Sequence, residues 1–163
     1  MFSDQKALTL EGVTFGYSGN PVLRDVSVDI DKGAMVAIIG PNASGKTTLL
    51  RLMTGTIPPQ KGQVYLGKKE MQKLRRKEIS RRIAVVPQQF TMPFAFTVDQ
   101  VVMLGRTAYL KPLAEPSPYD NKVVKDVLKE LRIELLGERV FNDLSGGERQ
   151  KVILAMALAQ QPE

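Results

Sequence analysis

The sequence predicts an α/β fold in which an N-terminal antiparallel β-subdomain precedes a strand–loop–helix core and an inserted α-helical subdomain. Three observations predict it. Apolar and polar residues alternate over positions 8–30, a continuous apolar run at Met35–Ile39 leads into a glycine-rich loop, and apolar residues recur at helical spacing beyond Phe90. Apolar residues make up 43% of the 163 positions and charged residues 25%, which is typical of a soluble globular domain.

The first two predicted strands belong to a sheet with one solvent-facing side. Leu8–Tyr17 alternates with a slip at Glu11–Gly12, which indicates a bulged strand. A turn at Ser18–Pro21 leads to a second alternating strand at Leu23–Ile30, which ends at the turn Asp31–Gly33.

The core elements follow. Met35–Ile39 has the continuous apolar character of a strand that is buried on both faces, and the helix after the glycine-rich loop is expected to end at Gly55. Val64–Leu66 is a short predicted strand, Met71–Arg82 is a predicted basic helix, and Ile83–Val86 is a second buried strand that Pro87 ends.

The remaining elements are helical. Thr97 is expected to cap a helix over Val98–Leu104, and Pro112–Pro118 is a predicted loop. Asp120 is expected to cap a longer helix, and a last helix runs from Ser145 to about Gln160. Apolar residues of the longer helix fall at helical spacing at Val123, Val124, Val127, Leu128 and Leu131.

The chain contains no Cys and no His. This excludes disulfides, thiolate zinc sites and imidazole bases, so catalysis would depend on carboxylates, lysine, hydroxyl groups and a hard metal ion. Mg²⁺ is the metal expected, because it prefers oxygen ligands and substrate phosphates. No apolar run has the length of a membrane-spanning helix, and we expect no secretory signal at the N-terminus.

The positive charge is concentrated in one place. The segment Lys68–Arg82, termed the basic segment, holds eight Lys or Arg residues and two Glu residues, a net charge of +6 that equals the net charge of the whole chain. A nucleic-acid footprint usually covers a whole face of a protein, so nucleic acid is not the expected partner. A solvated helix face and attraction to anionic lipid headgroups are two other interpretations of this segment.

One motif matches a phosphate-binding loop at every fixed position. It has the pattern G-x-x-x-x-G-K-[ST] and consists of Gly40, Pro41, Asn42, Ala43, Ser44, Gly45, Lys46 and Thr47. Small residues let successive backbone N–H groups point inward at a polyphosphate, and the next helix adds its unpaired first amides. Lys46 is expected to reach the β and γ phosphates of ATP, the Thr47 hydroxyl to bind Mg²⁺, and Thr48 to reach the α phosphate.

A second motif, residues 144–150 (L-S-G-G-E-R-Q), opens the last helix. Ser145 and Glu148 form a predicted capping box, and Gly146 and Gly147 leave the first backbone amides bare. A capped helix start explains the Ser and the Glu but not the two glycines, each of which costs about 1 kcal/mol relative to Ala inside a helix. The motif therefore indicates an anion site at a helix N-terminus.

With these motifs in this order, the chain resembles the ATP-binding-cassette (ABC) family from about Leu8 to its last residue. The resemblance implies an ATP-hydrolysing subunit that forms a head-to-tail homodimer. In such a dimer, Ser145, Gly146 and Gly147 of one copy contact the ATP held by the phosphate loop of the other copy.

The resemblance also assigns two single residues. Tyr17 resembles the aromatic platform on which adenine stacks, although a sheet tyrosine that packs on its neighbours is the alternative. Gln88 resembles the glutamine that touches Mg²⁺ and the attacking water, and Gln89 beside it leaves the register open by one residue.

The family also has an apolar strand that ends in Asp-Glu and, further on, a His, and neither is found in these 163 residues. We therefore expect a C-terminally truncated cassette with an incomplete sheet, little or no ATP turnover, and a tendency to associate. Its expected parts are a β-subdomain with the phosphate-loop core at 1–89, a helical subdomain at 90–144 and the signature helix at 145–163. Glu163 follows a Pro and is not expected to be the catalytic Glu.

The run Thr97–Arg106 resembles importers of iron complexes, haem and vitamin B12. This implies a transmembrane permease and an external substrate-binding protein as partners, with the chain on the cytoplasmic face of the membrane. The apolar residues Phe90, Met92, Phe94 and Phe96 either dock on such a permease or form local core. The alternative function is a soluble ABC ATPase that acts on nucleic acid or ribosomes.

Overall fold

A 12-residue strand, Lys6–Tyr17 (β1), lies at the centre of the N-terminal sheet. We obtained a computed structural model of the protein, which describes residues 5–111 and 113–163. The four strands have the order β2-β1-β3-β4 and pair antiparallel, where β2 is Asn20–Asp31, β3 is Lys61–Leu66 and β4 is Lys69–Glu70. The chain divides into two units, residues 5–79 and residues 80–163.

The predicted bulge and the solvent-facing side of the sheet are both confirmed. The register of β1 against β2 shifts between Leu10 and Val13, at the predicted slip. Leu10, Val13 and Val64 are fully buried on one face, whereas most of β2 is exposed. The alternation in the sequence therefore identified the buried face correctly.

The helix after the glycine-rich loop is Lys46–Met53 (α1), and Leu52 buries its side chain completely. Gly55 follows the helix with φ +67°, so the prediction that the helix ends there is confirmed. The predicted basic helix is wrong as a single element. It is split into a 3₁₀ turn at Met71–Lys73 and a short helix at Arg76–Ser80 (α2).

Two predicted strands are not strands in this structure. Met35–Ile39 makes no ladder hydrogen bonds with any described strand, and Met35 and Ile39 are almost fully exposed. Ile83–Val86 is also irregular, with Val85 and Val86 exposed. An apolar run supplies the side chains of a buried strand, but the strand forms only where a neighbouring strand supplies hydrogen bonds.

The second unit is helical. Its helices are Val98–Met103 (α3), Pro118–Glu130 (α4) and Gly146–Ala159 (α5), with 3₁₀ turns at Leu104–Ala108, Glu134–Leu136 and Phe141–Asp143. One apolar cluster joins the three α-helices. Its most buried members are Val98, Val101, Val102, Phe141, Val152, Ala155 and Ala159.

The helix starts follow local hydrogen bonds. Thr97 caps α3 as predicted, because its Oγ1 accepts from the Gln100 N–H and the Gln100 side chain accepts from the Thr97 N–H. The cap of α4 is Ser117 rather than Asp120, since Pro118 takes the first helical position and Asp120 lies at the third. Pro112, the first residue of the predicted loop, lies outside the described residues.

Within the described ranges, no helix is long and apolar enough to span a bilayer. The predicted boundaries at 89/90 and 144/145 stay predictions.

Candidate functional site

The glycine-rich loop leads into α1, whose first backbone N–H groups have no side-chain cap. Gly45 is the N-cap residue of α1, with φ +91°, and no side chain caps the helix. Ala43 also has a positive φ of +63°. The first amides of α1 therefore face no side-chain acceptor of their own helix, and the first turn carries no acidic residue that would repel an anion.

A side chain would crowd its neighbours at two positions of this loop. A Cβ on Gly40 would lie 2.9 Å from Ser44 Oγ, and a Cβ on Gly45 would lie 3.0 Å from Leu23 Cδ2. At Gly45 the left-handed φ adds a conformational cost for any other residue. These contacts explain why the loop has glycine at both ends of its turn.

Lys46 folds back over this loop. Its Nζ donates to the carbonyl oxygens of Gly40 at 2.8 Å and Pro41 at 2.6 Å. The ammonium group therefore lies over the loop. The contact with β and γ phosphates that the sequence predicts stays a prediction.

The two threonines after Lys46 differ in accessibility. Thr47 is exposed, so its hydroxyl is available to a metal ion that arrives with a polyphosphate. Thr48 is buried, with 6% of its surface exposed, and its hydroxyl hydrogen-bonds the phenol of Tyr17. The predicted contact between Thr48 and an α phosphate therefore remains a prediction, and its hydroxyl already has a protein partner.

Tyr17 stands at the C-terminal end of β1, beside α1. Its ring meets the edge of Phe15 in a T-shaped contact with centroids 5.0 Å apart, and 44% of its surface remains exposed. Hydrogen bonds from Thr48 and then Arg51 lower the pKa of the Tyr17 phenol below its ordinary value. The exposed part of the ring is a surface on which a planar base can stack.

These features fit a magnesium nucleotide. The donors are the first backbone amides of α1 and the Lys46 ammonium, the candidate metal ligand is the Thr47 hydroxyl, and the aromatic surface is Tyr17. The Ser44 N–H already donates to the Pro41 carbonyl oxygen at 3.3 Å. A Cβ at Gly40 would crowd the Ser44 side chain within the loop, whereas a Cβ at Gly45 would meet Val22 and Leu23 of β2. The amides and the ammonium are hydrogen-bond donors, which is the chemistry that a triphosphate requires.

The second motif builds a capped helix start that is open to solvent. The Glu148 carboxylate accepts from the Ser145 N–H at 2.8 Å and from the Ser145 hydroxyl at 2.6 Å, so the predicted capping box is confirmed. These bonds lower the pKa of Glu148. A Cβ added to Gly146 or Gly147 would meet nothing within 4 Å, so internal packing does not require glycine there.

Gln88 and Gln89 are both exposed. Their roles therefore rest on sequence position alone, and the choice between them stays open.

Two features were not found by reading the sequence for function. Arg106 is almost fully buried and pairs with Asp120, with Nε 2.9 Å from Oδ1. Arg51 donates from Nη1 to the Tyr17 hydroxyl at 3.3 Å. The sequence contained one signal for the first pair, since Asp120 stands three residues after Ser117 in a capping-box pattern.

Comparison with known proteins identifies one family. A family model described as ABC transporter matches residues 23–163. The uncharacterized ABC transporter ATP-binding protein YvrA of Bacillus subtilis strain 168 is 39% identical over 153 residues, which cover 93% of this chain and 35% of the relative.

Two other relatives have assigned cargoes. The hemin import ATP-binding protein HmuV of Thermobifida fusca is 39% identical, over 90% of this chain and 51% of the relative. The iron(3+)-hydroxamate import ATP-binding protein FhuC of Bacillus subtilis strain 168 is 34% identical, over 96% of this chain and 58% of the relative. The chain thus spans about a third to three fifths of the length of these curated relatives.

Solved structures agree with the predicted fold class. An ABC transporter in an inward-facing conformation superposes with a TM-score of 0.82 and 32% identity, over 96% of this chain and 57% of that chain. A dimeric bacterial ABC transporter cassette gives a TM-score of 0.78 and 29% identity, over 95% of this chain and 70% of that chain. The predicted α/β cassette with an open sheet is therefore confirmed.

Proposed function

Because this chain belongs to the ABC transporter family, we propose that it is the ATP-binding part of the ATPase subunit that powers a membrane importer. The observation that carries the proposal is the loop at Gly40–Thr47, which leads into a helix start that no side chain caps. ATP and Mg²⁺ are its proposed cofactors.

The phosphate loop has a defined task in this proposal. The amides of residues 43–47 bind phosphate oxygens, and Lys46 moves from the carbonyls of Gly40 and Pro41 onto the β and γ phosphates. Thr47 would hold Mg²⁺, which would supply positive charge beside the phosphates. Thr48 is proposed to reach the α phosphate. Gln88 is proposed to orient the attacking water and touch the metal.

The helix start of α5 is proposed to act on a second copy. Its open Gly146 and Gly147 leave room for a phosphate group to approach the backbone amides, and Ser145 adds a hydroxyl. We propose a head-to-tail dimer in which these three residues contact the ATP bound by the partner's loop.

The cargo class follows from the relatives. Hemin and iron(3+)-hydroxamate importers are among the proteins that this chain is similar to. We propose that the whole protein imports an iron complex or a similar chelate, with a transmembrane permease and an external binding protein that acts through it. The chain then lies in the cytoplasm, at the inner face of the membrane.

We propose that the 163-residue chain by itself binds ATP weakly and does not turn it over. Lys46 must first leave two carbonyl oxygens, which reduces the net gain from binding phosphate. The chain has no His, and the Glu163 carboxylate is paired with Arg82 at 2.9 Å. Glu163 is therefore not proposed as the residue that polarises water.

The test is calorimetric titration of the chain with Mg–ATP. We expect Lys46→Ala to abolish measurable ATP binding, and Lys61→Ala, which removes an exposed lysine of β3, to leave binding unchanged. Equal ATP affinity in the wild type and in Lys46→Ala would overturn the nucleotide assignment.

The basic segment favours an alternative, a soluble ATPase that acts on nucleic acid. Both of its acidic residues have partners, since Glu70 pairs with Lys73 at 2.6 Å and Glu78 accepts from the Arg75 N–H at 2.9 Å. This alternative predicts RNA or DNA binding that weakens steeply with salt and is lost on neutralising the exposed lysines. The proposed importer function predicts no binding of RNA or DNA.

A further inference from the structure

The end of β1 and the last turn of α1 are joined by a hydrogen bond that the proposed function leaves without a role. Arg51 lies in the last turn of α1, and its Nη1 donates to the Tyr17 hydroxyl at 3.3 Å. We propose that Arg51 is a positioning residue that fixes the Tyr17 ring for stacking on the adenine of bound nucleotide. This inference rests on the proposed function, because it requires nucleotide at the loop.

The Tyr17 ring is restrained from several sides. The edge of Phe15 packs against it at an interplanar angle of 82°, and its hydroxyl meets both Thr48 and Arg51. Tyrosine χ2 is a broad torsion, so a ring at a strand end that lacks such contacts samples several orientations. Restraint before binding reduces the entropy that is lost when a base stacks on the ring.

The position of Arg51 argues against a direct role on the phosphates. Phosphate donors gather at the N-terminus of α1, whereas Arg51 lies five residues further along the helix than Lys46. At the rise of an α-helix this separation is about 7.5 Å along the axis. The guanidinium of Arg51 instead donates to the phenol of Tyr17.

The same helix thus serves both ends of the nucleotide. The N-terminus of α1 presents amides to the phosphates, and its last turn holds the aromatic ring through Arg51. Because Thr48 belongs to α1 as well, the helix contacts the Tyr17 hydroxyl at two points. Loss of Arg51 should therefore weaken the recognition of the base and leave the recognition of the triphosphate intact.

The experiment compares ATP with inorganic triphosphate by calorimetry on the full 163-residue chain. The variants are Arg51→Met, Tyr17→Phe, their double variant, and Arg75→Met as a control that removes an exposed arginine of the same unit. We expect Arg51→Met to weaken ATP binding about three- to tenfold and to change triphosphate binding less than about twofold. We expect the double variant to be no weaker than Tyr17→Phe, since Arg51 has no phenol hydroxyl left to contact once that hydroxyl is removed.

A second readout needs no nucleotide. NMR titration of ring-labelled tyrosine should show that Arg51→Met raises the pKa of Tyr17 toward its ordinary value of 10.0, while Arg75→Met does not. An unchanged pKa of Tyr17 would overturn the inference, as would equal losses for ATP and triphosphate, which would make Arg51 a phosphate ligand. A wild-type chain that binds neither ATP nor triphosphate would instead refute the proposed function.

Discussion

Arg106 and Asp120 form a buried ion pair, with Nε 2.9 Å from Oδ1, beneath the end of the helix that the L-S-G-G motif opens. Arg106 Nη1 also donates at 2.9 Å to the carbonyl oxygen of Ala159, the last residue of α5. The Tyr109 ring covers the guanidinium at 4.0 Å. A cation at a helix C-terminus interacts favourably with the helix dipole. Arg106 therefore links the 3₁₀ turn Leu104–Ala108 both to α4, through Asp120, and to the C-terminal end of α5.

Removing one member of this pair should be costly. Arg106→Met leaves the Asp120 carboxylate buried without its cationic partner, and we expect a loss of about 3–5 kcal/mol in the free energy of unfolding. Lys122→Met, which breaks the exposed pair with Asp126, should cost less than about 0.5 kcal/mol. Urea unfolding followed by circular dichroism measures both, and equal losses would contradict the buried role.

The same pair predicts how stability depends on pH. Hydrogen bonds from Ser117 and then Arg106 lower the pKa of Asp120 below its ordinary value of 3.8. In that range the unfolded chain binds more protons than the folded chain, so the stabilisation is complete above the ordinary pKa and is lost as the pH falls through the folded one.

We therefore expect the wild type to lose stability more steeply on acidification than Asp120→Asn, which has no charge to lose. Asp29→Asn is the matched control. The pKa of Asp29 is also lowered, but its carboxylate is half exposed, so solvent screens its ion pair with Lys6 and the pair contributes little to stability. The measurement is the urea midpoint between pH 7 and pH 3. If the urea midpoint falls with pH equally steeply in the wild type and in Asp120→Asn, Asp120 is not the source of the acid sensitivity.

Whether a structural feature could be predicted from the sequence depends on how far apart its interacting residues stand along the chain. Capping at Thr97 and Ser145 was predictable because all the partners lie within three residues. The same pattern is present at Ser117-Pro118-Tyr119-Asp120, and the prediction that Asp120 is the cap is wrong because a proline favours the first helical position.

Interactions over longer distances were not predictable. The residues that bind Arg106 include Ala159 and Gln161, which stand 53 and 55 positions further along. The apolar run Met35–Ile39 was predicted as a strand, yet no described strand pairs with it. Periodicity indicates which face is apolar, but it carries no information on which segment will lie opposite. In contrast, the glycine-rich loop could be predicted as a phosphate site from sequence, because such sites have a fixed local spacing.

Mg²⁺ should improve ATP binding through Thr47. Its hydroxyl is exposed at the first turn of α1, where an Mg²⁺ ion held by phosphates would find an oxygen ligand. We expect Thr47→Val to lose the gain in ATP affinity that Mg²⁺ gives over EDTA, about tenfold or more, and Thr47→Ser to keep it. Calorimetric titration with and without Mg²⁺ checks this. A valine variant that retains the full gain would remove Thr47 from the metal site.

The last prediction separates stability from function at the L-S-G-G motif. Gly147 lies in the first turn of α5 with open space where a Cβ would be, so Gly147→Ala creates no clash within the chain. Alanine favours a helix over glycine by about 1 kcal/mol, and we expect the free energy of unfolding to rise by about that amount or somewhat less. In the proposed dimer, the added methyl group would obstruct a phosphate that approaches these amides from a second copy. Gly147→Ala should therefore abolish ATP-dependent self-association, as measured by sedimentation velocity.

Asn121→Ala is the control for a substitution at another helix start, because it changes an exposed position near the beginning of α4. It should change stability by less than about 0.5 kcal/mol, because the gain in helix propensity is offset by loss of the hydrogen bond from Asn121 Nδ2 to the Ser117 carbonyl oxygen, and it should leave ATP-dependent association unchanged. If Gly147→Ala associates as the wild type does, Gly147 is not needed for contact with the ATP bound to a second copy. A variant that is destabilised would show that the glycine is needed for folding, because a steric demand within the chain would then outweigh the gain in helix propensity.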